Sequence, residues 1–192
     1  MRRTRWLGAA ALALAVTSPA AAQQHSDTAH EAASDSAAGA FDRLKSLEGM
    51  WQLAGQPEHG LRINFSTTAR GSVLVEEWTY QGQRHSLTLY HRDGNTLLAT
   101  HYCPQGNQPR MALATGEEGT IRFTFRDVTD YDPASEQHQH DLWFAFDQAD
   151  QITRGEIYRD GEAADRPSAL SLERGVEWTE QASPSAEPPP AP

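Results

Sequence analysis

The chain has 192 residues, with 16 Lys and Arg against 26 Asp and Glu, so its formal net charge is −10 at pH 7. An acidic protein repels phosphate backbones and anionic lipid headgroups, which argues against nucleic-acid and membrane-surface partners. The single cysteine, Cys103, excludes an intramolecular disulfide. The fold must therefore depend on a hydrophobic core, which a chain of this length can supply.

The first 22 residues have the pattern of a secretory signal peptide. Three arginines near the start precede an apolar stretch over residues 6–16, and small residues at 20–22 provide a cleavage site. The apolar stretch is too short to span a bilayer as a helix. We therefore expect cleavage near Ala22 and a periplasmic or secreted protein.

Composition divides the remainder of the chain into one domain and two polar tails. Residues 23–39 contain no large apolar side chain and are expected to form a disordered linker. Residues 177–192 are rich in proline and are expected to form a disordered tail. Residues 40–176 remain as a single domain.

A short helix is predicted at the start of this domain. Phe41, Leu44 and Leu47 recur at spacings of three residues and would form one apolar stripe along the helix. Such a stripe could close the end of a barrel.

Short strands follow, about nine of them, at spacings of about 8–14 residues. The alternation is clearest at Ile121, Phe123 and Phe125, which are separated by polar residues. Asp–Gly pairs at 93–94 and 160–161 predict tight hairpin turns. Short turns throughout favour an all-β fold, a single antiparallel up-and-down closed β-barrel of about 8–10 strands. A Greek-key sandwich is the alternative.

The entry into the strands resembles a known superfamily. A short helix followed by Gly49, Met50 and Trp51, then an antiparallel meander, then Arg174 near the end of the last strand resembles the lipocalin-like, or calycin, superfamily. Residues 100–111 are similar to a segment of uncharacterised exported bacterial lipocalin-like proteins. The resemblance implies that Trp51 lies across the barrel floor and that Arg174 packs on its ring.

The strongest candidate site surrounds His101 and Cys103. These residues are two apart in an extended strand and project from the same face as Leu97. A loop containing Asn107 separates them from Arg110. An imidazole, a thiol and a guanidinium near a barrel mouth could hold an anionic or carbonyl-bearing ligand. The alternatives are a soft metal ion, a reactive thiolate, or a structural histidine beside a small buried thiol.

Two further positions are assigned to this candidate site, His91 and Glu77. His91 would face the cavity together with Leu87 and Leu89, the alternative being a surface position beside the hairpin. Because successive side chains alternate, one of Glu76 and Glu77 must point inward. There it could act as an acid, a base or a ligand anchor, unless it is paired with an inward arginine such as Arg110 or Arg62.

The sequence gives no positive sign of a cofactor or a resident metal. His138 and His140 could chelate zinc or copper from a strand, but the acidic residues beside them are typical of a solvated loop. Glycine-rich phosphate loops and nucleophile elbows are missing from the sequence. No cofactor and no metal site are predicted.

These patterns favour an exported protein that binds a small molecule. The expected ligand is mainly apolar, with one polar or anionic group. An enzyme of the same fold that uses an inward glutamate with His101, or the thiolate of Cys103, is one alternative. A haem- or metal-binding barrel that uses His101 or His91 is another.

Overall fold

The computed structural model describes residues 37–114, 119–160 and 165–175. They form one helix, α1 (residues 37–45), and ten strands. The strands are β1 (Gly49–Leu53), β2 (Leu61–Thr68), β3 (Val73–Tyr80), β4 (Gln83–Asp93), β5 (Thr96–Tyr102), β6 (Gln108–Leu113), β7 (Thr120–Thr129), β8 (Gln137–Gln148), β9 (Gln151–Asp160) and β10 (Arg166–Arg174). The expected signal peptide, most of the linker and all of the tail lie outside the described residues. Within the described ranges, no helix is long and apolar enough to cross a membrane.

Each strand pairs antiparallel with the next one, and the sheet closes on itself. Closure occurs at β1, where Trp51 lies opposite Ile63 of β2 on one side and opposite Arg174 of β10 on the other. This pairing leaves the sheet without an edge strand. The predicted closed up-and-down barrel is therefore confirmed, with ten strands, and its architecture is compatible with a calycin-like fold.

The helix α1 covers one end of the barrel, which we call the floor. Phe41, Leu44 and Leu47 are at most 5% exposed, as the apolar stripe predicted. Trp51 Nε1 donates a hydrogen bond to the carbonyl oxygen of Leu47 across 2.7 Å. The guanidinium carbon of Arg174 lies 4.3 Å from the centroid of the Trp51 ring, so the contact implied by the resemblance is present. The helix includes residues 37–39, which the sequence assigned to the linker.

Apolar side chains fill the half of the interior next to the floor. The rings of Phe65, Tyr90, Phe123 and Phe144 are at most 1% exposed and lie 5.5–6.1 Å apart between centroids. Tilted and edge-on ring pairs at such distances are favourable. This half of the barrel therefore works as a packed core.

Candidate functional site

The other half of the interior, which we call the mouth half, is lined by polar side chains. It lies toward the barrel end opposite α1. Strand alternation brings Glu76 of β3, Thr88 of β4, His101 of β5, and Arg154 and Glu156 of β9 into it. Each lies two residues or a multiple of two along its strand from a buried apolar residue, so the same alternation that builds the core directs these groups inward.

Glu76 is held by three donors in the centre of the barrel. Its side chain is 0% exposed, and that of Arg154 is 1% exposed. Arg154 Nε donates to Glu76 Oε1 across 3.1 Å, and Trp78 Nε1 donates to the same oxygen across 2.6 Å. The hydroxyl of Tyr90 donates to Glu76 Oε2. These bonds satisfy the buried carboxylate, which would be costly to bury alone.

Arg154 links this buried carboxylate to a second one closer to the mouth. It donates through Nη1 to Glu156 Oε2, and its guanidinium carbon lies 4.9 Å from the ring centroid of Trp78. Burial alone would lower the pKa of Arg154, but Glu76 and Glu156 outweigh it and raise that pKa. Arg154 is therefore a permanent cation shared between two carboxylates.

Glu156 is the charged group of this network that reaches solvent. Its side chain is 22% exposed. Gln139 Nε2 donates to Glu156 Oε2 across 2.7 Å, and the hydroxyl of Ser168 lies 3.5 Å from Oε1. Burial acts to raise the pKa of Glu156, but the guanidinium of Arg154 dominates and the pKa is lowered. Glu156 therefore stays ionised at neutral pH.

His101 stands beside this network with both ring nitrogens engaged. Its Nδ1 lies 2.9 Å from Thr88 Oγ1, and its Nε2 lies 3.3 Å from the hydroxyl of Tyr158. Burial, reinforced by the charge of Arg154, lowers the pKa of His101 to about 4. The inward position expected for His101 is therefore confirmed, and the ring is neutral at neutral pH.

Cys103 and Asn107 lie at the same end of the barrel. Cys103 is 9% exposed, on the face predicted for it, and it is a neighbour of Tyr158. Asn107 is 0% exposed and donates through Nδ2 to the carbonyl oxygen of Gln137 across 2.9 Å. The backbone carbonyl of Asn107 accepts a hydrogen bond from the backbone N–H of Cys103 at 3.1 Å. Asn107 thus ties the β5–β6 loop to β8.

Three of the residues assigned to the site from the sequence lie on the outer surface instead. Arg110 is exposed, because its neighbour Met111 takes the inward position. It forms a bidentate salt bridge with Asp127, with hydrogen bonds of 2.5 and 2.7 Å. Glu77 also faces out and pairs with Arg84 at 2.7 Å. The inward carboxylate of that strand is Glu76.

His91 is the third residue that the structure places outside. The sequence allowed Leu87, Leu89 and His91 as the inner face of β4, with a surface position for His91 as the alternative, and the buried residues are Thr88 and Tyr90. The physical reason is the buried carboxylate of Glu76, which accepts a hydrogen bond from the hydroxyl of Tyr90. This bond requires the face of β4 that carries Tyr90 to point inward. His91 Nδ1 instead lies 3.2 Å from the backbone carbonyl of Arg92.

Three of the residues that the sequence analysis missed lie on β9, and Trp78, Thr88 and Gln139 of β3, β4 and β8 were missed as well. Arg154, Glu156 and Tyr158 share a face with Ile152, which is 1% exposed. Charged residues of opposite sign at alternate positions after a buried isoleucine are the signal that could have revealed them. The inward partner expected for the buried glutamate is therefore Arg154. Arg62 faces outward and donates to the carbonyl of Pro57 across 2.7 Å.

The two histidines considered as metal ligands contact each other. His138 Nε2 and His140 Nδ1 are 3.3 Å apart, and the ring of Phe125 stacks on His140 at 5.0 Å between centroids. Burial lowers the pKa of both imidazoles. Among residues 37–114, 119–160 and 165–175, no group of three or more His, Cys, Asp or Glu side chains is arranged to hold a metal ion.

The mouth half can therefore present fixed hydrogen-bonding groups to a small molecule. Trp78, Tyr158 and Leu170 are half-buried, so the polar network is bordered by partly accessible apolar and aromatic surface. No protein-family model matches this chain, and no curated protein is significantly similar to it. The closed barrel is compatible with a calycin-like fold, and the contact between Trp51 and Arg174 is the one that the resemblance implied.

Proposed function

We propose that this chain is a small-molecule-binding protein whose ligand lies in the mouth half of the barrel. In this proposal a polar head contacts Glu156, Tyr158 and His101, and a less polar body lies against Trp78 and Leu170. One observation carries the proposal. The barrel buries an ion network and leaves one of its carboxylates, Glu156, 22% exposed toward the mouth.

A buried ion network is a weak source of stability. Replacing such groups with apolar residues of similar volume is often neutral or stabilising, since desolvation offsets the Coulombic attraction. The floor half of this barrel is a packed apolar core, and apolar side chains in the mouth half would extend that core without any need for buried charges. The chain instead has buried carboxylates that accept hydrogen bonds from Trp78, Tyr90 and Gln139. Such fixed groups resemble the few convergent polar groups that orient a bound ligand.

The proposed ligand is smaller and more polar than the sequence alone suggested. A long apolar body would have to enter the half of the barrel that Phe65, Tyr90, Phe123 and Phe144 occupy. Displacing packed core side chains is unfavourable. We therefore place both the head and the body of the ligand above the level of Glu76.

The geometry favours binding over acid–base catalysis. Glu76 already accepts hydrogen bonds from Arg154, Trp78 and Tyr90, so its acceptor sites are engaged by the protein and not by a substrate. Burial lowers the pKa of His101 to about 4, far from the value near the working pH that suits a general base. Burial and the charge of Glu156 raise the pKa of Tyr158, so its phenol stays protonated.

A haem- or metal-binding role for His101 would require one of its ring nitrogens to be released. Thr88 engages Nδ1 and Tyr158 engages Nε2. His91, the other histidine considered for this role, lies on the outer face of β4. These placements favour an organic ligand that accepts or donates hydrogen bonds at the existing groups.

Native mass spectrometry of the gently purified protein tests the proposed function. We expect a co-purified small molecule whose occupancy falls in Glu156→Gln and Tyr158→Phe. Arg110→Met and His91→Asn, on the outer surface, serve as controls and should retain it. Equal occupancy in all four variants would place the ligand elsewhere.

We also propose that the protein works outside the cytoplasm, in the periplasm or after secretion. The support is the basic and then apolar pattern of residues 1–22. N-terminal sequencing of the protein exported from a bacterial host should find a chain that begins near Gln23. An uncleaved chain retained in the cytoplasm would contradict this.

A further inference from the structure

Gln139 carries a buried hydrogen-bond acceptor that the described residues do not satisfy. Its side chain lies on β8 and is 0% exposed. The amide nitrogen donates to Glu156 Oε2 across 2.7 Å. The amide oxygen, Oε1, has no hydrogen-bond partner in the described part of the chain. A buried acceptor without a donor is unfavourable, so this atom calls for a donor that the described residues do not supply.

The carboxylate of Glu156 determines which atom of the Gln139 amide lacks a hydrogen-bond partner. Rotating the amide of Gln139 by half a turn would place its oxygen against Glu156 Oε2, where two acceptors would repel each other. Glu156 is ionised, because the guanidinium of Arg154 lowers its pKa against the effect of burial. The unsatisfied atom is therefore the oxygen.

Glu156, which accepts from the same amide group, has acceptor capacity of its own. Its Oε2 accepts from Arg154 and Gln139, whereas Oε1 has a single long contact of 3.5 Å with the hydroxyl of Ser168. A carboxylate oxygen can accept two hydrogen bonds. The side chain is 22% exposed, so this capacity is accessible from the mouth. Both neighbouring groups thus call for donors.

The charge of the site also favours a ligand that is a cationic donor. By formal charge, the two carboxylates of Glu76 and Glu156 exceed the guanidinium of Arg154 by one negative charge, and the buried rings of His101 and Tyr158 add none at neutral pH. The whole chain is also acidic, with a formal charge of −10. A cation entering the mouth is attracted, and an anion is repelled.

We propose that the ligand presents a protonated amine, or a comparable cationic N–H donor, to Gln139 Oε1 and Glu156 Oε1. This inference rests on the proposed function, since it requires a ligand in the mouth half. It replaces the anionic group expected from the sequence. That expectation relied on Arg110, which lies on the outer surface and is paired with Asp127.

Three probes of similar size and shape but different charge test the inference. They are 2-phenylethylammonium, 2-phenylethanol and phenylacetate, titrated into the full chain by calorimetry at low salt. We expect the ammonium ion to bind at least about tenfold more tightly than phenylacetate, with the neutral alcohol between them.

Substitutions then locate the preference. Glu156→Gln should lower the affinity for the ammonium probe at least about tenfold, while the affinity for the alcohol changes little. Gln139→Met removes the unsatisfied oxygen without changing the charge, and it provides the second test if Glu156→Gln does not fold. Glu77→Gln makes the same change of charge on the outer face of β3 and should leave all three affinities unchanged.

The outcomes separate the two proposals. Equal or tighter binding of phenylacetate would overturn the cationic ligand while leaving the proposed binding function intact. An equal loss of affinity in Glu77→Gln and Glu156→Gln would assign the effect to general surface charge, and would also overturn it. Failure of all three probes, together with no co-purified molecule, would overturn both proposals.

Discussion

Arg154 donates its Nε–H to Glu76 Oε1 across 3.1 Å inside the barrel, and neither side chain is more than 1% exposed. The two residues are 78 positions apart in the chain, on β3 and β9. A charge pair this deep is formed only when the whole barrel has closed. It therefore fixes the polar groups of the mouth half to the same framework that holds the core.

Removing the cation of this pair should be strongly destabilising. Arg154→Met leaves the carboxylates of Glu76 and Glu156 without their shared partner, and breaking a buried pair costs about 3–5 kcal/mol. Denaturant unfolding followed by tryptophan fluorescence measures the change. The double variant Glu76→Gln with Arg154→Met should recover part of the loss, because one uncompensated charge is removed.

Arg110→Met provides the matched control, since the pair of Arg110 and Asp127 lies on the surface. Exposed ion pairs contribute little to stability. We expect its unfolding transition to coincide with that of the unsubstituted chain. A loss in Arg154→Met no larger than in Arg110→Met would contradict the structural role of the buried pair.

The sequence was sufficient to predict the barrel, because closure depends on a pattern repeated in every strand. Phe41, Leu44 and Leu47 likewise marked the floor helix, and Trp51 with Arg174 marked the floor contact. These predictions require only the spacing of apolar residues within one helix or strand, or a recognisable short sequence pattern. Each was confirmed.

The site was harder to predict, because it depends on which face of each strand turns inward. In β3, both the set with Leu74 and the set with Val75 contain apolar residues, so alternation alone does not choose between Glu76 and Glu77. In β4, two leucines lie on the outer face. The pairing of Arg154 with Glu76 decides both strands, and that contact is invisible to any local pattern.

The neutral state of His101 should make the folded chain lose stability as the pH falls. Burial lowers the pKa of His101 from 6.5 to about 4, so below pH 6.5 the unfolded chain binds a proton that the folded chain does not. Between pH 6.5 and 4 this lowers the free energy of unfolding by about 3 kcal/mol, at about 1.4 kcal/mol per pKa unit. Urea unfolding over this pH range measures it.

The variant His101→Asn should show a correspondingly shallower pH dependence. His91→Asn, on the outer face of β4, is the matched histidine and should keep the original slope. Parallel curves for the unsubstituted chain and His101→Asn would show that this imidazole is not held neutral by the fold.

Arg174 should stabilise the floor through two kinds of contact. It lies 4.3 Å from the centroid of the Trp51 ring, and it donates to the backbone carbonyls of residues 46–48 at 2.6–3.2 Å. Losing the cation–π contact and these charged hydrogen bonds in Arg174→Met should cost about 2 kcal/mol. Thermal unfolding measures it, with the exposed Arg126→Met as a control that should unfold as the original chain does.

A close approach between β8 and β9 should make Gly155 intolerant of any side chain. Gly155 lies opposite Trp143, and a Cβ added there would come within 2.0 Å of carbon atoms in the Trp143 ring. Gly155→Ala should therefore destabilise the barrel by about 1–3 kcal/mol, the usual cost of overpacking. Gly39→Ala is the contrasting change, because a Cβ there meets nothing within 4 Å and alanine favours the helix.

Trp143→Leu should largely restore the stability of Gly155→Ala, since the clash is with the Trp143 ring. A loss of stability that persists in the double variant would show that the backbone of β9 itself requires glycine.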